Sequence, residues 1–340
     1  MKPLVLEKEQ AGHWLKGLCN NFDIFAPLPT DKGYSDWQKW DGGDLFDVAK
    51  GVPKSSIKTF FFPQPEVLFQ FNARASAPDA FRLREPKCQD KPRILFGVRP
   101  CDARSVVLNS MPYEEDPYFQ KRIQETFIVG FLCREGCSTC FCKWTGGSPT
   151  GTEGMDVAAI DLGQVLYVEI LSDKGKRLVG NGFFRSPTKD EETEAKDFVE
   201  KAKGQALDQD VASILRSKGL MHLYDAPFWN SVSEPCINCG TCTFLCPTCY
   251  CFDIQDETLR GKGRRIRYWD SCMFPLFTQH ASGHNPRGDK LKRVRNRFMH
   301  KLKYFPDRFG PISCVGCGRC VRDCPVNIDI RQVLRSLLEI

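Results

Sequence analysis

The sequence predicts an α+β protein, with a mixed α/β domain first and an all-helical, cysteine-rich domain last. Three observations carry this. Short apolar runs of strand length flank a helical pattern in the first half of the chain. A charged, helix-forming stretch follows them. Eleven of the 18 cysteines then crowd into residues 236–324, most of them in two tight runs. A chain of 340 residues is long enough for about two domains, each with its own core. The expected divisions are an α/β domain over 1–190, a helical connection over 191–220 and a helical domain over 221–340.

Taken in order, "EKEQAGHWLKGL" reads as an amphipathic helix. "RILFGV" (93–98), "FIVGFL" (127–132) and "VLYVEIL" (165–171) read as strands. Between the first two lies "CDARSVVLNSM", a short helix that Asp102 is expected to cap. Strand, turn, helix, strand makes a βαβ unit. "TGGSPTGTEG" is read as a flexible glycine-rich loop, since no GxGxxG, GxxxxGK[ST] or HExxH motif accompanies it. In the connecting stretch Phe198, Val199, Ala202, Ala206, Val211, Ile214 and Leu215 form a loose apolar stripe at helical spacing.

Composition excludes several classes. A net charge of +6 is too weak to argue for nucleic acid or a membrane surface. No apolar run approaches the roughly 18 residues that span a bilayer, and "MKPLVLEKEQ" lacks the apolar core of a secretory signal, so a cytoplasmic protein is expected. Disulfide scaffolds are short and secreted. In a reducing compartment, cysteines at two- and three-residue gaps are metal ligands instead.

"CINCGTCTFLCP" sets Cys236, Cys239, Cys242 and Cys246 before Pro247, and "CVGCGRCVRDCP" sets Cys314, Cys317, Cys320 and Cys324 before Pro325. This is the bacterial ferredoxin run C-x₂-C-x₂-C-x₃-C-P, twice, in which the fourth cysteine ligates the other cluster. Cys236, Cys239, Cys242 and Cys324 are therefore assigned to one [4Fe–4S] cluster. Cys314, Cys317, Cys320 and Cys246 are assigned to a second. Gly240, Gly316 and Gly318 are expected to keep side chains away from the clusters. Structural zinc needs neither the three-residue step nor the proline. About 67 residues separate the runs, and "SCMFPLFTQHASGHNPRGDKLKRVRNRFMHKLKYF" reads as helix broken at "GHNPRG". An all-helical dicluster ferredoxin-like domain is the expectation.

That insert carries fourteen Lys or Arg between residues 260 and 308, against three acidic residues. One reading is a nucleic-acid surface. The favoured one has arginines donating to negatively charged clusters, with the rest solvated or facing a partner. Upstream, Cys101 follows one predicted strand and Cys133 follows the next. Parallel strands would bring these ends together, with "CFC" folding back over them. Cys101, Cys133, Cys140 and Cys142 are chosen as ligands of a third [4Fe–4S] cluster and Cys137 is left as the spare; free core cysteines or a zinc site are the alternatives.

"FGVRPCDARSV", "CSTCFC", "CINCGTCTFLCPTCYCFDI", "RYWDSCMF", "ASGHNPR" and "CVGCGRCVRDCPVNIDI" together resemble one family of iron–sulfur electron-transfer subunits. It includes the beta subunit of cytoplasmic sulfhydrogenases, the A subunit of anaerobic sulfite reductase and the iron–sulfur protein of flavin oxidoreductases that work with heterodisulfide reductase. The resemblance runs from about residue 90 to the C-terminus. It implies three [4Fe–4S] clusters, the third on Cys101, Cys133, Cys140 and Cys142. It also implies an electron relay between a flavoprotein subunit holding FAD and NAD(P) and a terminal oxidoreductase subunit. Two other functions are weighed against it: reduction of a disulfide or sulfur compound at a cluster or reactive thiol, and nucleic-acid binding. Cys249, Cys251 and Cys272 fall outside the three sets, either as packed thiols or as an extra ligand or redox set. His280, His284 and His300 read as surface or core histidines, and Trp229 and Trp269 as core aromatics.

Overall fold

The computed structural model describes residues 2–43, 45, 51–86, 91–180, 182–204 and 211–340. Cys88 and Ala206 lie outside them. The N-terminal half is built on nine strands: β1 (Leu4–Glu7), β2 (Asp23–Pro29), β3 (Ser35–Lys39), β4 (Glu66–Asn72), β5 (Arg93–Val98), β6 (Thr126–Phe131), β7 (Val157–Asp161), β8 (Val165–Ile170) and β9 (Phe184–Arg185). All but β4 form one sheet in the order β3-β2-β5-β6-β7-β8-β1-β9. The central strands β2, β5, β6 and β7 run parallel, and the margins are antiparallel.

Every residue of β5 and β6 is buried, which is why both read as unbroken apolar runs. The two-residue strand period sends their side chains to opposite faces. Leu95, Val98 and Ile128 enter one core, while Ile94, Phe96, Phe127, Val129 and Phe131 enter the other. The helix Pro100–Ser110 joins β5 to β6, as the βαβ reading requires, with proline in its first turn. Asp102 does not cap it. Arg99 is the N-cap residue, and the Asp102 carboxylate is fully buried inside the first turn, paired with Arg319.

Past β9, Lys189–Gly204 and Val211–Ser217 are helical. The C-terminal part is not all-helical. β10 (Phe252–Leu259) and β11 (Lys262–Trp269) form an antiparallel hairpin between the two cysteine runs, and β11 also pairs with β4. The turn residues Arg260 and Gly261 both have positive φ, the backbone that a two-residue hairpin loop demands. Arg264 and Arg265 pair with Glu257 and Asp256 across the hairpin. The basic run thus spends its charge on cross-strand partners, a pattern hidden when only its net charge is read. Before "GHNPRG" there is a single 3₁₀ turn, Pro275–Thr278, and after it the helix Lys290–Met299 continues through a π-type turn, His300–Tyr304, into Phe305–Phe309. The last helix, Ile330–Glu339, buries Ile330, Val333, Leu334 and Leu337. They join Trp229, Phe298 and Leu302 in a third core.

Glu66 ties the small sheet to the larger domain. Its carboxylate, 1 % exposed, accepts Arg267 Nε at 2.7 Å and also pairs with Arg122, while Arg267 reaches Asp116 as well. Removing the carboxylate leaves Arg267, whose side chain is 5 % exposed, with Asp116 alone. Glu66→Ala is therefore expected to destabilise the fold by about 3 kcal/mol, the usual cost of breaking a buried pair. Chemical denaturation measures it, and a loss below about 1 kcal/mol, the ceiling for a surface pair, contradicts the assignment.

Candidate metal centres

The two ferredoxin runs fold alike. In each, the residue before the second cysteine is left-handed, Asn238 in the first and Gly316 in the second. The residue after that cysteine, Gly240 or Gly318, is left-handed too and starts a one-turn helix, Thr241–Phe244 or Arg319–Arg322. These reversals turn successive thiols inward. Backbone N–H groups meet the sulfurs: Asn238 donates to Cys236 Sγ at 3.4 Å, and Ile328 to Cys324 Sγ at 3.2 Å.

Cys236, Cys239, Cys242 and Cys324 line one cavity, with Cys320 at its wall. Cys246, Cys314 and Cys317 are buried behind it. Cys320 lies in the electrostatic field of Cys246, Cys314 and Cys242, so it stands between the two sets. Burial pushes the thiols of Cys317 and Cys320 up to about 12 and that of Cys314 up to about 11, with Cys246 adding to each. Loading these sites therefore displaces protons. The thiols of the first run line the wall of their shared cavity.

The charge around them fits an anionic core. Lys301, 2 % exposed, donates from Nζ to Cys246 Sγ at 3.3 Å, Thr248 Oγ1 at 3.2 Å and the Ser313 carbonyl at 2.9 Å. Burial alone would lower this ammonium; Cys246, Cys249 and Cys314 hold it well above its usual value. Arg297 is buried with its Nε unpartnered, and its field comes from Cys242, Cys320, Cys249 and Cys246. Elsewhere the basic run is committed to protein groups: Arg293 donates to the carbonyls of Arg287 and Gly288, and Arg295 pairs with Asp225. His280 and His284 are exposed, while burial pulls His300 down to about 4, so it is a neutral ring against Tyr250 and Phe305.

At the carboxyl ends of β5 and β6, Cys101, Cys133, Cys140 and Cys142 line a cleft with Arg99 and Trp144. Cys137 lines it too, its carbonyl accepting from Cys140 N–H at 3.1 Å, so five thiols surround the cleft. The cleft abuts the second ferredoxin run. Cys101 packs with Cys317, Val315 and Leu108, and Phe141 N–H donates to the Gly316 carbonyl at 2.7 Å.

Gly316 and Gly318 make room for neighbouring backbone. A Cβ on Gly316 would stand 2.5 Å from Cys142 N, and one on Gly318 2.5 Å from the Thr139 carbonyl. They let the "CFC" segment lie directly on the ferredoxin run, whereas Gly240 makes room for Phe274. Behind this joint, Arg319 donates to both Asp102 oxygens at 2.6 and 2.7 Å and to the carbonyls of Pro53, Lys54 and Ser55. Lys58 was not legible as part of the site. From the segment Lys58–Phe61 its Nζ reaches the carbonyls of Phe244 and Cys249 at 3.1 and 3.2 Å, across some 190 residues of sequence that hold no local signal for the contact.

Residues 235–328 match the family model of a 4Fe–4S dicluster domain. This sets zinc aside for the two ferredoxin runs. The chain is 34 % identical over 256 residues to sulfhydrogenase 2 subunit beta of Pyrococcus furiosus, covering 72 % of this chain and 74 % of that protein. It is 22 % identical over 174 residues to F420-dependent formate dehydrogenase subunit beta of Methanocaldococcus jannaschii, covering 50 % of this chain and 38 % of that one. No solved structure matches. Among the described residues no helix is long and apolar enough to cross a membrane.

The contact at Gly316 yields a test. Gly316→Ala adds a Cβ against backbone and strains a left-handed residue. The variant is expected to bind less iron per chain than the native protein, because the added Cβ displaces the backbone of Phe141 and Cys142. Iron and acid-labile sulfide analysis reads this directly, and an unchanged count contradicts the role given to the joint.

Proposed function

The chain belongs to the iron–sulfur beta-subunit family of the sulfhydrogenases, and on that premise we propose that it is a three-cluster electron relay inside an oxidoreductase complex. Cys236, Cys239, Cys242 and Cys324 hold the first [4Fe–4S] cluster in this reading. Cys314, Cys317, Cys320 and Cys246 hold the second, and Cys101, Cys133, Cys140 and Cys142 the third. A [4Fe–4S] cluster supplies a one-electron carrier whose potential follows its hydrogen bonds, charge and burial.

One observation carries the reading: a buried middle set is flanked by two sets that reach the surface. Cys246, Cys314 and Cys317 are buried and Cys320, the fourth, is partly buried. In the first set Cys239 is exposed, and the neighbouring Ile237 is 62 % exposed. The third set opens on a cleft. Electrons entering at one face would leave at the other, through Cys101 beside Cys317 and Cys320 beside Cys242.

The protein groups have distinct duties in this scheme. Lys301 and Arg297 favour the reduced, more negative state of the clusters they face and so raise their potentials. The buried Arg319–Asp102 pair is neutral as a unit and fixes the distance between the second and third sets. No dinucleotide fingerprint occurs in the sequence. FAD and NAD(P) therefore belong to a flavoprotein partner subunit, and substrate turnover to a terminal partner of hydrogenase, sulfite reductase or heterodisulfide reductase type, all in the cytoplasm.

Anaerobic co-purification from the native source, with mass spectrometry of the complex, tests the scheme. The expected result is a flavoprotein and a terminal oxidoreductase subunit bound to a chain with about twelve irons. A chain with about eight irons removes the third cluster, and one that reduces a substrate with NADH unaided overturns the relay.

A further inference from the structure

Cys249, Cys251 and Cys272 remain outside the ligand sets, and the hairpin gathers them. Cys251 immediately precedes β10, and Cys272 follows β11 by three residues. The strand pairing ends at Phe252 opposite Trp269, and Asp270 N–H then donates to the Cys251 carbonyl at 2.9 Å. Beyond that point Cys251 packs against the core that holds Cys272, and each thiol lies within the other's electrostatic reach. Cys249 lies in the field of both and of Cys246, the thiol assigned to the buried cluster.

The surroundings are cationic. Lys58 is 4 % exposed, its Nζ stands 3.9 Å from the Trp269 ring centroid, and its electrostatic partners are Cys249, Cys246 and Cys251. Lys301 is the further cation near Cys249 and Cys251. Neither has a carboxylate in ion-pair range among the described residues. Cys272 and this field together draw the Cys251 thiol down to about 7, whereas Cys251 and burial push Cys272 up; thiolate is the species that forms and breaks disulfides. Cys272 is only 8 % exposed, whereas Cys251 keeps partial contact with solvent. A bulky external disulfide cannot reach Cys272, so the fitting partner for each thiol is the other one.

We propose that Cys251 and Cys272 form an internal redox-active dithiol, a two-electron store beside the one-electron relay. On oxidation both S–H bonds break, one S–S bond forms, two protons leave through the solvent-facing side of Cys251, and two electrons pass singly to two oxidised clusters of the chain. The reverse step takes two electrons from reduced clusters and two protons from solvent. The inference rests on the relay reading for its electron acceptor alone.

The test uses the full chain, purified anaerobically and poised with redox dyes across a range of potentials. Samples are quenched in acid, alkylated and mapped by peptide mass. At low potential Cys251 and Cys272 should both be alkylated; at high potential they should appear as one linked peptide pair, lighter by two hydrogens. Reductive titration adds a second readout: Cys272→Ala with unchanged iron content should accept about two electrons fewer than the native chain. Alkylation of both thiols at every potential, with iron at full content, overturns the dithiol and leaves the relay standing. A linked pair other than Cys251–Cys272 also overturns it. A Cys251–Cys272 link in a chain whose ferredoxin sets hold no iron supports the dithiol and overturns the relay.

Discussion

Two buried cations set the terms for the rest of the C-terminal half. Lys301 and Arg297 sit in the protein interior among cysteine sulfurs, with no carboxylate in ion-pair range among the described residues. An uncompensated buried charge costs several kcal/mol, so the local chemistry has to supply negative charge. Two ferredoxin clusters with their thiolates do so. The same demand explains the π-type turn at His300–Tyr304, which carries Lys301 inward from the basic helix Lys290–Met299. What looks in composition like a surface for polyanions is mostly paired with protein groups, and two of its members, Lys301 and Arg297, are internal counter-charges.

The second constraint is the joint between the two halves. The N-terminal sheet brings Cys101 and Cys133 together by parallel pairing of β5 and β6, but a cleft alone gives no path for electrons. Gly316 and Gly318 let backbone meet backbone there, and Arg319 locks the contact by reaching Asp102 and three carbonyls of residues 53–55. The residues that join the halves lie within the second ferredoxin run itself, so cluster binding and docking of the halves share one short segment. Lys58 and the Glu66–Arg267 pair make further ties from the N-terminal half to the hairpin and its surroundings.

Much of this was legible in the sequence, and the gaps have physical causes. β5 and β6 announce themselves because strands buried on both faces are rich in apolar residues, and the ferredoxin spacing is local enough to survive as a motif. The hairpin escaped notice because its cross-strand pairs, Arg264 with Glu257 and Arg265 with Asp256, look like a charge run when read in one dimension. Its turn, Arg260–Gly261, was the available signal. Asp102 was read as a cap because capping is a local property, whereas its partner Arg319 lies 217 residues away. The neighbours of Gly316 and Gly318, Cys142 and Thr139, are set by tertiary contact and leave no trace in spacing.

In the proposed relay three clusters form one continuous path with the buried set in the middle. Electron paramagnetic resonance of the fully reduced chain tests it most directly, because adjacent paramagnetic clusters broaden and split one another's signals. The account predicts that the buried cluster couples to both others. Three magnetically isolated signals, or a pair alone in the native chain, would contradict it.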